Sequence, residues 1–83
     1  MGKYAWHRKR VLDPSLAIAR RVSHLRSCAL ALASLLQLQR VTVIDRVKQA
    51  TAVDLECCAS EAELVTALQF LDATRATALR KTS

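Results

Sequence analysis

The chain is poor in the residues that form tight turns. It has one glycine, one proline and no asparagine among 83 residues, and these are the usual turn residues. Aromatic residues make up only 4% of the chain. Alanine and leucine, which favour helix, are the commonest residues, with 14 and 13 copies. This composition argues against a sheet protein with many hairpins and against any site that needs a Gly-rich loop, and it predicts an all-α fold.

Features of secreted and membrane-spanning proteins are also scarce. The most apolar stretch, 28–38, has 11 residues, whereas a spanning helix needs about 20. The basic start is followed by further charges rather than by the apolar core of a secretory signal. Cys28, Cys57 and Cys58 are odd in number and lack C-x-x-C spacing, so we interpret them as reduced, mostly buried thiols. We therefore expect an intracellular protein, cytoplasmic or nuclear, in a reducing compartment, and no membrane partner.

Groups for catalysis or for metal binding are few. His7 and His24 both lie among arginines, and six of the seven acidic residues lie beyond residue 44. Positive neighbours lower the pKa of a histidine, and a general base normally needs a carboxylate or a nucleophile within reach. The cysteines and histidines also lack the spacing of a zinc site. We expect no enzyme activity, no cofactor and no metal.

The positive charge is concentrated at the start of the chain. The net charge is +6, and residues 1–26 carry that whole excess, with seven Lys and Arg against Asp13 alone. No carboxylate occurs from residue 14 to residue 44. Charge segregated in this way predicts a polyanionic partner.

The pattern of apolar residues predicts a basic arm over residues 1–12 and a single helical domain over residues 13–83. Asp13 and Pro14 are suited to begin a long first helix. That helix has a stripe of apolar residues spaced by three and four: Ile18, Val22, Leu25, Ala29, Leu32 and Leu36.

Two further helices are expected. Thr42 and Asp45 resemble a capping box before the second, although the β-branched run 41–44 is also compatible with a short strand; we favour helix. Ser60 and Glu63 form a capping box for the last helix, which extends to about Arg80.

The first helix also predicts the assembly. Its second half, 28–38, is apolar on nearly every side, and such a helix is normally buried on every side. A small chain has little material to surround it. The sequence therefore predicts a bundle of about three helices with a long first helix, assembled as a homodimer.

The basic residues are the candidate nucleic-acid contacts. We expect a fixed surface on the first helix and a mobile clamp on the arm, since Lys and Arg neutralise phosphates. Tyr4 and Trp6 could stack on bases. The candidates are Arg8, Lys9 and Arg10 on the arm, and Arg20, Arg21, His24 and Arg26 on the helix.

Duplex RNA is favoured over DNA as the partner. The region 43–70 holds five acidic residues against two basic ones and lacks the Gly-containing turn of many DNA-reading helices, whereas long basic helices suit recognition of RNA by backbone shape. Small viral suppressors of RNA silencing share this plan of helical dimers, an analogy of architecture that no motif here supports. The alternative is an adaptor or inhibitor that docks a partner helix or an acidic surface, and a third possibility is a peripheral membrane binder.

Overall fold

The computed structural model describes residues 3–57 and 60–81, and in these two stretches the chain is all-helical without a strand. Helix α1 spans Lys3–Val11, α2 spans Ile18–Leu36, α3 spans Arg40–Thr51 and α4 spans Glu61–Lys81. The all-α prediction is confirmed. The described residues form four helices rather than about three, because the segment predicted as an arm contains α1.

Helix α1 is docked on the bundle. It runs antiparallel to α2, since the carbonyl oxygen of Tyr4 accepts a hydrogen bond from the Cys28 thiol near one end and Val11 lies beside Arg21 at the other. Tyr4 and Val11 are buried. A nine-residue helix is marginal in water without such packing. The expectation of a mobile basic clamp is therefore wrong for residues 3–11.

Two of the three predicted helix starts are wrong. Asp13 does not begin α2: its carboxylate accepts hydrogen bonds from the backbone N–H (2.9 Å) and the hydroxyl of Ser15, which closes a turn, and α2 starts at Ile18. Thr42 does not begin α3, which starts at Arg40. The choice of helix over strand for residues 41–44 is confirmed.

The core joins all four helices. The predicted stripe of α2 lies at its centre, with Val22, Leu25, Ala29 and Leu32 almost fully buried and Ile18 and Leu36 at its margin. It packs against apolar residues of the other helices and of the α3–α4 connection: Val43, Val47, Val53, Leu55, Leu64, Leu68 and Leu71.

The apolar half of α2 is covered largely by its own chain. Among the apolar residues of 28–38, only Leu30 and Leu35 are exposed. The observation that suggested a homodimer is thus mostly accounted for within one copy, and the homodimer stays a prediction.

The scarcity of glycine has a visible consequence where helices end. Helix α2 ends at Gln37 (φ 57°) and α3 ends at Ala52 (φ 62°), both in the left-handed conformation that glycine adopts without cost. The N–H of Leu38 donates to the Ala33 carbonyl (2.8 Å) and that of Ala52 to Lys48 (2.8 Å). These bonds satisfy carbonyls that would otherwise lack partners.

No single helix in the described residues is long and apolar enough to cross a membrane. Helices α2 and α3 reach the required length and composition only together, and they are bent by 111° at the break between them.

The start of α4 agrees with the sequence and provides a test. The Glu63 N–H donates to the Ser60 hydroxyl oxygen (3.2 Å), and that hydroxyl donates to the Glu63 carboxylate (3.1 Å). We expect Ser60→Ala to lower the free energy of unfolding by about 1 kcal/mol, the usual value of such a cap, in urea denaturation. Ser23→Ala, an exposed position within α2, is the control and should change it by less than about 0.5 kcal/mol. Equal effects of both variants would contradict a capping role.

Candidate nucleic-acid interface

The seven predicted contact residues lie on the hairpin formed by α1 and α2, but they do not form one surface. Arg8, Lys9 and Arg10 belong to the last turns of α1, and the other four belong to the first half of α2. A helix places residues on all its sides. Some of the seven side chains therefore face the core or α4 and form contacts within the protein. The structure therefore divides the set.

Arg21 is a structural residue. Only 5% of it is exposed. Its Nε donates to the carbonyl oxygen of Val11 (2.7 Å) and its Nη1 to Glu61 (2.7 Å). The Val11 carbonyl lies at the end of α1, where carbonyls lack helical partners. Arg21 thus caps α1, and its prediction as a surface contact is corrected.

Arg8 is bound to α4. Its Nε donates to both carboxylate oxygens of Asp72, at 3.1 and 2.9 Å. The buried Tyr4 donates its hydroxyl to the same carboxylate (2.7 Å), and burial together with this bond raises the pKa of Tyr4. Arg8 therefore fastens α1 to α4 and is only partly available to a polyanion. Tyr4 is removed from the expected base-stacking residues.

Arg26 is also engaged within the protein. Its Nε donates to the Leu55 carbonyl (2.9 Å) in the connection between α3 and α4. Since the side chain is only half-buried, its remaining guanidinium N–H groups keep some access to solvent. Its main contact is nevertheless structural.

The other predicted cations point outward. Lys9 and Arg20 are exposed, and no carboxylate of the residues that the structure describes forms an ion pair with Lys9, Arg10 or Arg20. They lie on the hairpin of α1 and α2, Lys9 and Arg10 in the last turns of α1 and Arg20 in the first turn of α2. We call this surface the hairpin face and define it by Lys3, Trp6, His7, Lys9, Arg10, Arg20 and His24.

A cluster of rings occupies the middle of the hairpin face. The Nδ1 atoms of His7 and His24 are 2.8 Å apart and share a hydrogen bond. Trp6, half exposed, contacts both imidazoles edge-on, with centroid distances of 4.8 Å to His7 and 5.6 Å to His24. The Arg10 guanidinium lies 3.6 Å from the centroid of the Trp6 ring, a cation–π contact that fixes both side chains. The face is thus ordered where the sequence suggested a flexible arm.

The histidine pair restricts its own protonation. One Nδ1 must donate and the other accept, so the bond cannot form when both rings are positively charged. Partial burial, the neighbouring His24 ring and the charges of Arg10 and Lys3 lower the pKa of His7. This favours the neutral form of His7.

The Cys28 thiol shows no sign of catalytic activation. Cys28 is fully buried, and this burial raises its pKa to about 12, whereas a nucleophilic cysteine needs a lowered pKa. Cys57 is exposed, contrary to our expectation, and Cys58 lies outside the described residues. Within residues 3–57 and 60–81, no three His, Cys, Asp or Glu side chains are grouped to hold a metal ion.

Comparison with known proteins adds no family to this description. No protein-family model matches the chain, and no curated protein or solved structure matches it. The function proposed below is therefore argued from the geometry alone.

Three members of the hairpin face are not recognised as one group from the sequence alone. Lys3, His7 and Arg10 are spaced by four and three, which places them on one side of a helix. This signal is readable only if residues 3–11 are recognised as helical. The contact of His7 with His24 depends on the antiparallel docking of α1 and has no local signal.

Proposed function

We propose that the protein binds nucleic acid through the hairpin face, by contacts to the phosphate and sugar backbone, with duplex RNA preferred to DNA. One observation carries the proposal. The two carboxylates of α4 that pair with the hairpin, Asp72 and Glu61, are bound to Arg8 and to the buried Arg21, so they do not pair with Lys9, Arg10 or Arg20. Asp13, at the end of the hairpin, is bound by Ser15.

The electrostatics of this face suit a polyanion. Lys3, Lys9, Arg10 and Arg20 supply four positive charges on two antiparallel helices. Cations placed against phosphates release counterions, which supplies affinity that does not depend on base sequence. Ser23 and Ser27 follow along α2, and hydroxyls can bond phosphate and ribose oxygens.

The preference for RNA rests on shape. The face is built from the sides of two helices and has no short helix projecting from it that could enter the major groove, the usual arrangement of DNA readers. Duplex RNA is recognised through phosphates and 2′-hydroxyls across a wide, shallow minor groove. A broad face of cations and hydroxyls is compatible with that groove.

A gel-shift experiment with duplex RNA, duplex DNA and single strands at two salt concentrations tests the proposal. We expect binding to weaken steeply with salt, by a log–log slope of about −0.9 per phosphate neutralised on B-form DNA. Arg20→Ala should weaken binding to every duplex and make the slope shallower by about one contact.

Arg46→Ala is the matched control. Arg46 is an exposed arginine on α3, away from the hairpin face, and it forms no ion pair within the described residues. The Arg46→Ala substitution should leave the affinity for nucleic acid nearly unchanged. The proposal fails if none of the nucleic acids shifts, or if Arg20→Ala binds as tightly as the parent protein.

The homodimer is a separate part of this proposal. Two copies would double the number of cations presented to one duplex and extend the face. Light scattering of the purified protein should then give twice the 9.2 kDa mass of one chain. A folded species of 9.2 kDa at the concentrations of the gel shift would remove the dimer without affecting the contacts of the hairpin face.

A further inference from the structure

A groove runs across the bundle beside the hairpin face. Its volume is about 600 Å³, with α2 as its floor and the start of α1 and the end of α4 as its walls. The side chains that matter below are Lys3, Leu30, Ala31, Leu35, Arg75 and Leu79.

The groove gathers leucines that the core leaves uncovered. Leu30, Leu35 and Leu79 are 54, 41 and 41% exposed, and all three line this one depression. Scattered exposed leucines need no explanation, but a contiguous apolar patch in a concave site indicates a partner. The floor between them is formed by Ala31 and by small serines, which leave room for inserted side chains.

The charges around the groove select the kind of partner. Lys3 stands on the α1 wall and Arg75 on the α4 wall, where its guanidinium lies 4.7 Å from the centroid of the Tyr4 ring. No carboxylate lines the groove among the residues that the structure describes. Asp72, one turn before Arg75, is occupied by Arg8 and Tyr4. An apolar floor between cationic walls complements a ligand with an apolar stripe and acidic flanks.

We propose that this groove binds an amphipathic helix of a partner protein, with leucine-like residues at helical spacing and carboxylates beside them. Helices dock in this way through apolar anchors on one face. A second copy of this chain is a poorer occupant, because a symmetric dimer would bring the Lys3 and Arg75 side chains of both copies into one interface. A nucleic acid would leave the leucines unpaired. The proposal does not rest on nucleic-acid binding, although the groove adjoins the hairpin face at Lys3 and His7.

The test uses the full chain and a synthetic helical peptide with leucines at positions i, i+3, i+4 and i+7 and glutamates beside them. A second peptide carries lysine in place of every glutamate. Fluorescence anisotropy measures affinity, and NMR shifts of backbone amides locate the site. We expect the glutamate peptide to bind at least about tenfold more tightly than the lysine peptide and to shift the amides around Leu30, Leu35 and Leu79.

Matched variants separate the groove from general stickiness. Leu35→Gln should weaken binding of the glutamate peptide at least about tenfold, whereas Leu12→Gln should not. Leu12 is equally exposed, at 41%, but lies outside the groove. Lys3→Gln and Arg75→Gln should each weaken binding in low salt. Arg75→Gln also loses the contact with the Tyr4 ring and could unfold the protein for that reason. In that case Lys3→Gln still tests the contribution of charge to peptide binding.

Four results would overturn the inference. It fails if the glutamate peptide does not bind, if both peptides bind equally, or if Leu35→Gln binds the glutamate peptide as tightly as Leu12→Gln does. A dimer that Leu35→Gln dissociates would also overturn it, because a second copy would then occupy the groove. Failure of the groove proposal can be distinguished from failure of the proposed function. Leu35→Gln should leave gel shifts unchanged, and Arg20→Ala should leave peptide binding nearly unchanged.

Discussion

Arg21→Ala is expected to lower the free energy of unfolding by about 2–3 kcal/mol, the effect of leaving a buried acceptor unpaired and losing a packed stem. The variant leaves the Val11 carbonyl in a buried position without its donor and removes the link between the end of α1 and the start of α4. The bond to Val11 contributes most of this loss. Glu61 is well exposed, so its ion pair is screened by solvent. Urea denaturation followed by circular dichroism measures the change.

Neighbouring variants make the result diagnostic. Arg20→Ala, one residue earlier and exposed, should change stability by less than about 0.5 kcal/mol while weakening nucleic-acid binding. Arg21→Met keeps the aliphatic stem but not the hydrogen bond, so its stability should lie between those of Arg21→Ala and the parent. At a temperature where the Arg21→Ala variant is folded, this variant should bind duplexes almost as tightly as the parent protein does. A stable Arg21→Ala that fails to bind would restore Arg21 to the contact surface.

Acidification is expected to destabilise the docking of α1 on α2, by about 2 kcal/mol when both histidines are protonated. The estimate combines a lost hydrogen bond of about 1 kcal/mol with repulsion between two charges near a protein surface, which solvent reduces. The charged groups that act on His7 are His24, Arg10 and Lys3, so no carboxylate of the described residues compensates a charge on this ring. Trp6 touches both rings, so its fluorescence should report the change.

The direction follows from proton linkage. The pKa of His7 in the folded protein is lower than the ordinary value of about 6.5 that applies to the unfolded chain, so the unfolded chain binds more protons in this range. The contribution of His7 to the free energy of unfolding is complete above about pH 6.5. It is lost as the pH falls from there through the lower pKa of the folded state.

A variant isolates this effect from the titration of carboxylates. His24→Gln removes one of the two rings and keeps a polar group beside His7. We expect it to show a smaller loss of stability between pH 7.5 and 5 than the parent. Identical pH profiles for the two proteins would show that the contact between the rings contributes nothing to stability.

The amino-acid sequence alone is enough to predict the helical class, the apolar stripe of α2 and the start of α4. These features are local. A stripe such as Val22, Leu25, Ala29 and Leu32 follows from helical periodicity, and the capping box at Ser60 needs only a residue three positions on. The net charge of residues 1–26 is likewise a property of the chain, and its concentration there holds in any fold.

Which of those charges face outward depends on how the helices pack against one another. Arg20 and Arg21 are neighbours in the sequence, yet one is exposed and the other caps α1 from within the protein. The arm predicted over residues 1–12 contains α1. A short polar helix is stable only when another helix covers it, and the contacts of Tyr4, His7 and Arg8 come from residues 17 to 68 positions away. Whether a cation pairs with a carboxylate or meets solvent depends on packing between distant segments, which local propensity and spacing do not encode.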